Sequence, residues 1–188
     1  MQSNKVRSKY DEEFLALIRN NREIMRDLER IRELKMPESY IAAGYIRNYI
    51  WDHIHGYVNR TPLNDIDVIY YDPEQLDEVN DLQYEQMLIE QTGNPIWSVK
   101  NQARMHIGYG IEPYTGIENA ISRWPENVTG IAIRLEEDDR ITYLCPHGLD
   151  DIFECRVRQS PFFHDRAKYE NRVSTKNWIE IWPKLQIE

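Results

Sequence analysis

Ile66, Val68, Ile69, Tyr70 and Tyr71 form a β-branched and aromatic run that reads as a buried strand, yet Asp65 and Asp67 open it. Side chains alternate along a strand. The two carboxylates therefore share a face, their Cα atoms separated by roughly two rises of 3.3 Å. Asn64 and Asp65 also suit an ordinary turn, and Asp67 in a salt bridge is the plainer reading of the pair. A second acid inside an apolar strand is harder to dismiss, because an unpaired buried carboxylate is costly.

Elements on either side give the strand its setting. Phe14, Ile18, Met25, Leu28, Ile31 and Leu34 recur at helical spacing with charges between them, which predicts one long amphipathic helix over about 8–36, begun by Ser8 with Asp11 and ended by Pro37. "SYIAAG" (39–44) reads as a strand closed by glycine. "YIRNYIWDHIHG" reads as a helix that Gly56 stops. After the acid-led strand, Asp72 and Pro73 are expected to open a helix that Gly93 ends, with Leu76, Val79, Leu82 or Tyr84, Met87 and Leu88 at its apolar spacing. "PIWSVKNQARMH" reads as extended, "IENAISRW" as a short helix, and "VTGIAIRLEEDDRITYLCP" as a hairpin with a solvated acidic turn. The expected fold class is α+β or α/β, a mixed β-sheet flanked by helices.

Composition narrows the function classes. A chain of 188 residues, 41% hydrophobic, can bury a core, and one domain is expected: a centre at about 39–153, an N-terminal helix and a C-terminal extension at about 156–188. Basic residues number 23 against 32 acidic, a formal net charge of -9, which disfavours affinity through a basic footprint on nucleic acid. Cys145 and Cys155 have neither disulfide-framework nor zinc spacing and read as buried thiols. No apolar run approaches the roughly eighteen residues of a membrane span, and none precedes the acidic start as a leader would, so a cytoplasmic protein without a membrane partner is expected.

The chemistry converges on two elements. Hard carboxylate oxygens at Asp65 and Asp67 suit Mg²⁺ (or Mn²⁺), which shares its shell with substrate phosphates, so a nucleoside triphosphate is the natural co-ligand. Gly44 ends one strand and opens a helix, and the first free amides of that helix can point at a phosphate. Adjacent antiparallel strands would bring those amides beside the acids. Arg47, one turn on, offers a charged fork to a phosphate oxygen or a partner for Asp52.

"AAGYIRN" followed by "NDIDVIYYD" resembles the nucleotidyltransferase superfamily typified by DNA polymerase beta. Together with "WSVKNQARMH" and "PHGLDD", the stretch from Ser39 to Phe153 is similar to a bacterial family of nucleotidyltransferase-like proteins. The resemblance implies that Asp65 and Asp67 are catalytic and hold the metal. It implies that Gly44 and its neighbours hold the triphosphate, with Arg47 and Asn48 assisting. Tyr45 stands where the superfamily has a small residue and is expected either to block close approach or to stack on a base. The superfamily's third carboxylate has no counterpart in "WSVKNQARMH"; Lys100 and Asn101 offer a phosphate and a metal contact there, and Glu112, Asp150 or Asp151 could reach in as the acid. The implied activity moves a nucleoside monophosphate from a triphosphate to a hydroxyl, releasing pyrophosphate. A small molecule or protein is a better acceptor than bulk nucleic acid at this net charge. A catalytically degenerate nucleotide- or partner-binding protein and a metal-dependent phosphoester hydrolase are the alternatives.

Overall fold

Five strands form the central sheet in the computed structural model, which describes residues 8–188; residues 1–7 of the expected domain lie outside the described residues. At its centre β1 (Tyr40–Ala42) runs antiparallel to β2 (Ile66–Tyr70) on one side and to β4 (Ala132–Leu135) on the other. Strand β3 (Trp97–Asn101) lies parallel outside β2, and β5 (Ile141–Leu144) lies antiparallel outside β4. The expected mixed sheet with flanking helices is what forms.

Alternation along these strands divides the interior. Ile41, Ile66, Val68, Trp97, Val99 and Ile133 enter the large core, which they share with α1 (Asp11–Asn20), α2 (Arg22–Glu33) and α3 (Gly44–His55). Tyr40, Ala42, Ile69 and Ala132 face the other way, onto Ile117 and Ile121 of α6 (Ile117–Ser122). Each buried Ile or Val among them contributes roughly 1.5–3 kcal/mol by burial. The second face is only partly covered, and Asp67 is on it.

The N-terminal helix expected as one piece is two. Asn21 adopts φ -91°, ψ 105°, and its Oδ1 accepts the amides of Glu23 (3.0 Å) and Ile24 (3.1 Å), so it caps α2. Phe14 and Ile18 before the break and Ile24, Leu28 and Ile31 after it reach the same core, which is why the apolar spacing reads through.

The helix α4 (Glu78–Thr92) starts later than Asp72 and Pro73 suggest. Asp77 caps it by accepting the Val79 amide (3.0 Å), while Asp72 only closes a local turn on Glu74 (3.0 Å). Leu76, Val79, Leu82 and Met87 remain exposed, so their spacing does not mark the buried side. Asp81 does: it is fully buried, accepting from the Tyr70 hydroxyl (2.7 Å) and the Asn101 amide (3.2 Å) and pairing with Arg104. The extended stretch expected through His106 ends at Asn101, whose side chain caps α5 (Gln102–Met105) through the Ala103 amide (3.0 Å).

Beyond α7 (Asp150–Phe153), the tail returns to the body of the protein. Strands β6 (Arg156–Val157) and β7 (Gln186–Ile187) pair in parallel, with α8 (Arg166–Thr175) and α9 (Trp178–Ile181) between them. Trp178 and Trp182 pack edge-on against Trp51 of α3, with ring centres 5.5 and 5.1 Å away. The Trp182 Nε1–H also donates to Asp52 (2.8 Å), which takes the Thr61 amide (2.9 Å) and not Arg47. No helix among the described residues is long and apolar enough to cross a membrane.

Candidate active site

The turn from β1 to α3 decides what reaches the acids. Tyr40 pairs with Ile69 and Ile41 with Val68, and the same register sets Ala42, the last residue of β1, opposite Asp67, with the turn into α3 directly after it. The helix start and the acid pair therefore share one end of two adjacent antiparallel strands. Ile46 and Arg47 already send their amides to the Ala43 carbonyl (3.3 and 3.0 Å), whereas those of Gly44 and Tyr45 precede any intrahelical acceptor. A Cβ on Gly44 would meet the Arg47 guanidinium at 3.4 Å, so glycine leaves room for that side chain. The strain sits one residue earlier. Ala43 holds φ 56°, ψ -126°, a conformation that suits glycine, and its N–H donates a hydrogen bond to the Ile131 carbonyl (2.9 Å).

Asp65 is exposed and Asp67 half-buried, and neither has a hydrogen-bond or ion-pair partner among the described residues. Burial, and then the charge of Asp65, push the Asp67 carboxyl up from its ordinary 3.8 to about 6, while Arg47, Lys176 and Arg172 oppose the rise. Unpaired acids that repel each other are a seat for a cation. Two carboxylates on one face with open lone pairs fit Mg²⁺, which takes its remaining ligands from water and phosphate. Among the described residues no third His, Cys, Asp or Glu gathers with them into a metal-holding group.

The expected third acids are engaged elsewhere. Asp151 is held by Arg156 (2.9 Å) and Asn127 (2.6 Å), Asp150 accepts from Ser8 (3.0 Å), and Glu112 is exposed on a loop. The acid that does lie in the site's charge network is Glu126, fully buried, accepting from Thr129 (3.1 Å) and Arg172 (3.0 Å).

Arg47 is buried, with its guanidinium 4.8 Å from the Trp51 ring centre and 4.4 Å from that of Trp178. It donates to Thr129 Oγ1 (2.8 Å) and to Asn48 Oδ1 (2.8 Å from Nη2), which turns Asn48 toward the helix start. Burial lowers it from 12.5 to about 10, against the pull of Glu126 and Asp67. Lys176 is also lowered, by desolvation of its ammonium and by the neighbouring Arg47 and Arg172, with its Nζ 5.3 Å from the Trp178 ring centre. Three cations thus lie among three acids, Asp65, Asp67 and Glu126.

Three expected residues are not brought into this group. The Tyr45 ring is buried and its hydroxyl donates to Asp27 (2.5 Å), so it neither blocks the turn nor offers a face to a base; only its amide remains at the site. Lys100 and Asn101 pair with Ile69 and Tyr70, at the far end of β2 from Asp67. Asn101 is fully buried and spends its amide on the carbonyls of Asp72 (2.8 Å) and Gln75 (2.8 Å), a structural task. Lys100 lies 3.8 Å from Glu78. Conversely, Glu126, Arg172 and Lys176 were not legible as site residues. The available signal was the four-residue spacing of Lys168, Arg172 and Lys176, which sets three cations on one side of a helix.

A mixed sheet whose central turn opens a helix beside two unpartnered acids defines a nucleotidyltransferase-like class of fold and site. The comparisons take this further: a family model described as nucleotidyltransferase matches residues 29–187, and the chain belongs to that family. It is similar to an NMR structure described as revealing a CCA-adding enzyme head domain, at 35% identity, 98% coverage of both chains and a TM-score of 0.82. A CCA-adding enzyme in complex with CTP matches with a TM-score of 0.58 at 17% identity, over 94% of this chain and 43% of that one. The Thermotoga maritima CCA-adding enzyme complexed with tRNA matches with a TM-score of 0.55 at 17% identity, over 94% and 42%. The chain spans less than half of those two, and the likeness to them is one of fold. A search among curated proteins finds no match.

Proposed function

We propose that this chain binds a nucleoside triphosphate with Mg²⁺ and transfers its nucleoside monophosphate to a hydroxyl, releasing pyrophosphate. The observation that carries the reading is the acid pair: Asp65 and Asp67 share one face, lack protein partners among the described residues, and sit opposite the start of α3. The relatives add support, since a head domain at 35% identity is described as that of a CCA-adding enzyme, and enzymes of the fold are described in complex with CTP and with ATP.

Each group has a task in this reading. Asp65 and Asp67 hold the metal, which supplies positive charge to the phosphate oxygens at the transferring phosphorus. The Gly44 and Tyr45 amides take phosphate oxygens at the positive end of α3. Arg172 and Lys176 draw the remaining phosphate charge toward the acids, and Arg47 with Asn48 holds the helix start in place. A protonated Asp67 would not hold the cation, so Mg²⁺ binding is expected to strengthen as pH climbs through about 6. A cytoplasmic setting and a small-molecule or protein acceptor fit the formal net charge of -9.

Labelled triphosphates, Mg²⁺ and a small-molecule extract incubated with the protein test the reading, with pyrophosphate and labelled product as the readouts. Release that depends on Mg²⁺ and disappears in Asp67→Asn is expected. Turnover retained by that variant overturns the assignment, and orthophosphate in place of pyrophosphate converts it to phosphoester hydrolysis. The lack of a third acid beside the pair among the described residues favours a second reading, nucleotide binding without transfer. Mg²⁺-dependent triphosphate binding without any pyrophosphate would establish it.

A further inference from the structure

The cationic side of α8 does not end at the acid pair. Lys168, Arg172 and Lys176 follow one another at four-residue steps, and at 1.5 Å per residue the row is about 12 Å long. Arg172 and Lys176 act on Asp67 at one end. At the other, the Lys168 ammonium lies 4.7 Å from the Tyr109 ring centre, beside a cavity of about 370 Å³ walled by Tyr109, Tyr114, Trp124 and Phe162 together with Arg123.

Two observations give this basin a ligand chemistry. Two of its four rings are open to solvent, Tyr109 by 52% and Phe162 by 55%, an unfavourable arrangement for rings with nothing to cover, while Tyr114 is buried behind them. Neither Arg123 nor Lys168 forms an ion pair with a carboxylate among the described residues. Asp165 is the only acid among the residues that line the basin, and its carboxylate accepts the Lys168 amide (2.9 Å) as the cap of α8. The basin is also tied to the site: Trp124 stands two residues before Glu126, which binds Arg172. Rings that can sandwich a planar group, flanked by cations, suit a heteroaromatic ring joined to phosphate.

We infer that the basin between α6 and α8 seats the heteroaromatic ring of a nucleoside phosphate, whose phosphate is drawn along Lys168 and Arg172 toward the acid pair. The inference deepens the nucleotidyl-transfer reading and rests on it for the purpose of the ligand, although binding itself is measured without transfer. That ring belongs either to the donor triphosphate or to a separate nucleotide acceptor.

Calorimetric titration of the full chain with the four nucleoside monophosphates, in the absence of divalent cation, is the test. At least one is expected to bind, about tenfold more weakly to Phe162→Ala and to Lys168→Glu. Ribose 5-phosphate, which lacks the ring, is expected to bind at least tenfold more weakly than that monophosphate. Both exposed positions can be changed without opening the core, and circular dichroism checks that they fold. With Mg²⁺ and a non-hydrolysable triphosphate present, displacement of the monophosphate assigns the basin to the donor's base, and simultaneous binding assigns it to an acceptor; either outcome sustains the inference. Equal affinity in wild type, Phe162→Ala and Lys168→Glu overturns it, as does ribose 5-phosphate binding as tightly as the monophosphate, or no monophosphate binding at millimolar concentration. Failure of transfer alone, with these affinities as expected, would strike the nucleotidyl-transfer reading and leave the basin standing.

Discussion

Asp67 and Asp81 are both acids set against the same strand, and they differ in what surrounds them. Asp81 is fully buried and satisfied by the Tyr70 hydroxyl, the Asn101 amide and Arg104. Asp67 is half-buried, has Asp65 for company, and is pushed up to about 6. An acid that the fold needs comes with its donors, whereas one kept without them holds its lone pairs for something the chain does not supply. The first ties α4 and α5 to the sheet; the second leaves the sheet's other end electrostatically unfinished.

Substitutions at the two acids should separate these roles. Asp81→Ala removes the buried acceptor of the Tyr70 hydroxyl and the Asn101 amide, leaving Arg104 with Glu78 (3.4 Å), and is expected to cost about 3 kcal/mol in urea denaturation, with no rescue by Mg²⁺. Asp67→Asn should leave the fold intact while lowering Mg²⁺-dependent pyrophosphate release by more than about 100-fold, beyond what the loss of an outer-shell contact costs.

The pH dependence sharpens the contrast. Because the folded Asp67 holds its proton up to about 6, above the ordinary 3.8, its contribution to stability falls as pH rises across that window and is gone above it. Asp67→Asn should therefore match the wild type near pH 4 and exceed it at pH 7.5 by roughly 1–2 kcal/mol, a gap that saturating Mg²⁺ narrows. Thermal melts at the two pH values, with and without the ion, read this directly. The smallest effect belongs to the turn that joins the two regions: Ala43→Gly should relieve backbone strain and stabilise the chain by about 1 kcal/mol, raising Tm by a few degrees.

Legibility followed distance along the chain. The acid-led strand and the glycine-led helix are local patterns, so Asp65, Asp67 and Gly44 could be paired from alternation and capping alone. Tyr45 could not be assigned that way, because its role depends on Asp27, which arrives from a different helix to take its hydroxyl. Asn101 looked like a free polar group on a strand, but the chain bends there and the amide is consumed by the Asp72 and Gln75 carbonyls. The break at Asn21 was hidden because both helices present their apolar residues to one core. Arg172 and Lys176 become neighbours of the acids only when the tail folds back over α3, and no spacing within the chain encodes that return; Glu126 joins them through Thr129, which Arg47 binds.

That return also leaves an optical gauge in place. Trp51, Trp178 and Trp182 are close enough for their excited states to mix, with Arg47 and Lys176 lodged against the Trp178 indole. A polyanion that settles on Lys176 changes the field on those chromophores, so near-ultraviolet dichroism and intrinsic emission should follow occupancy with no label attached.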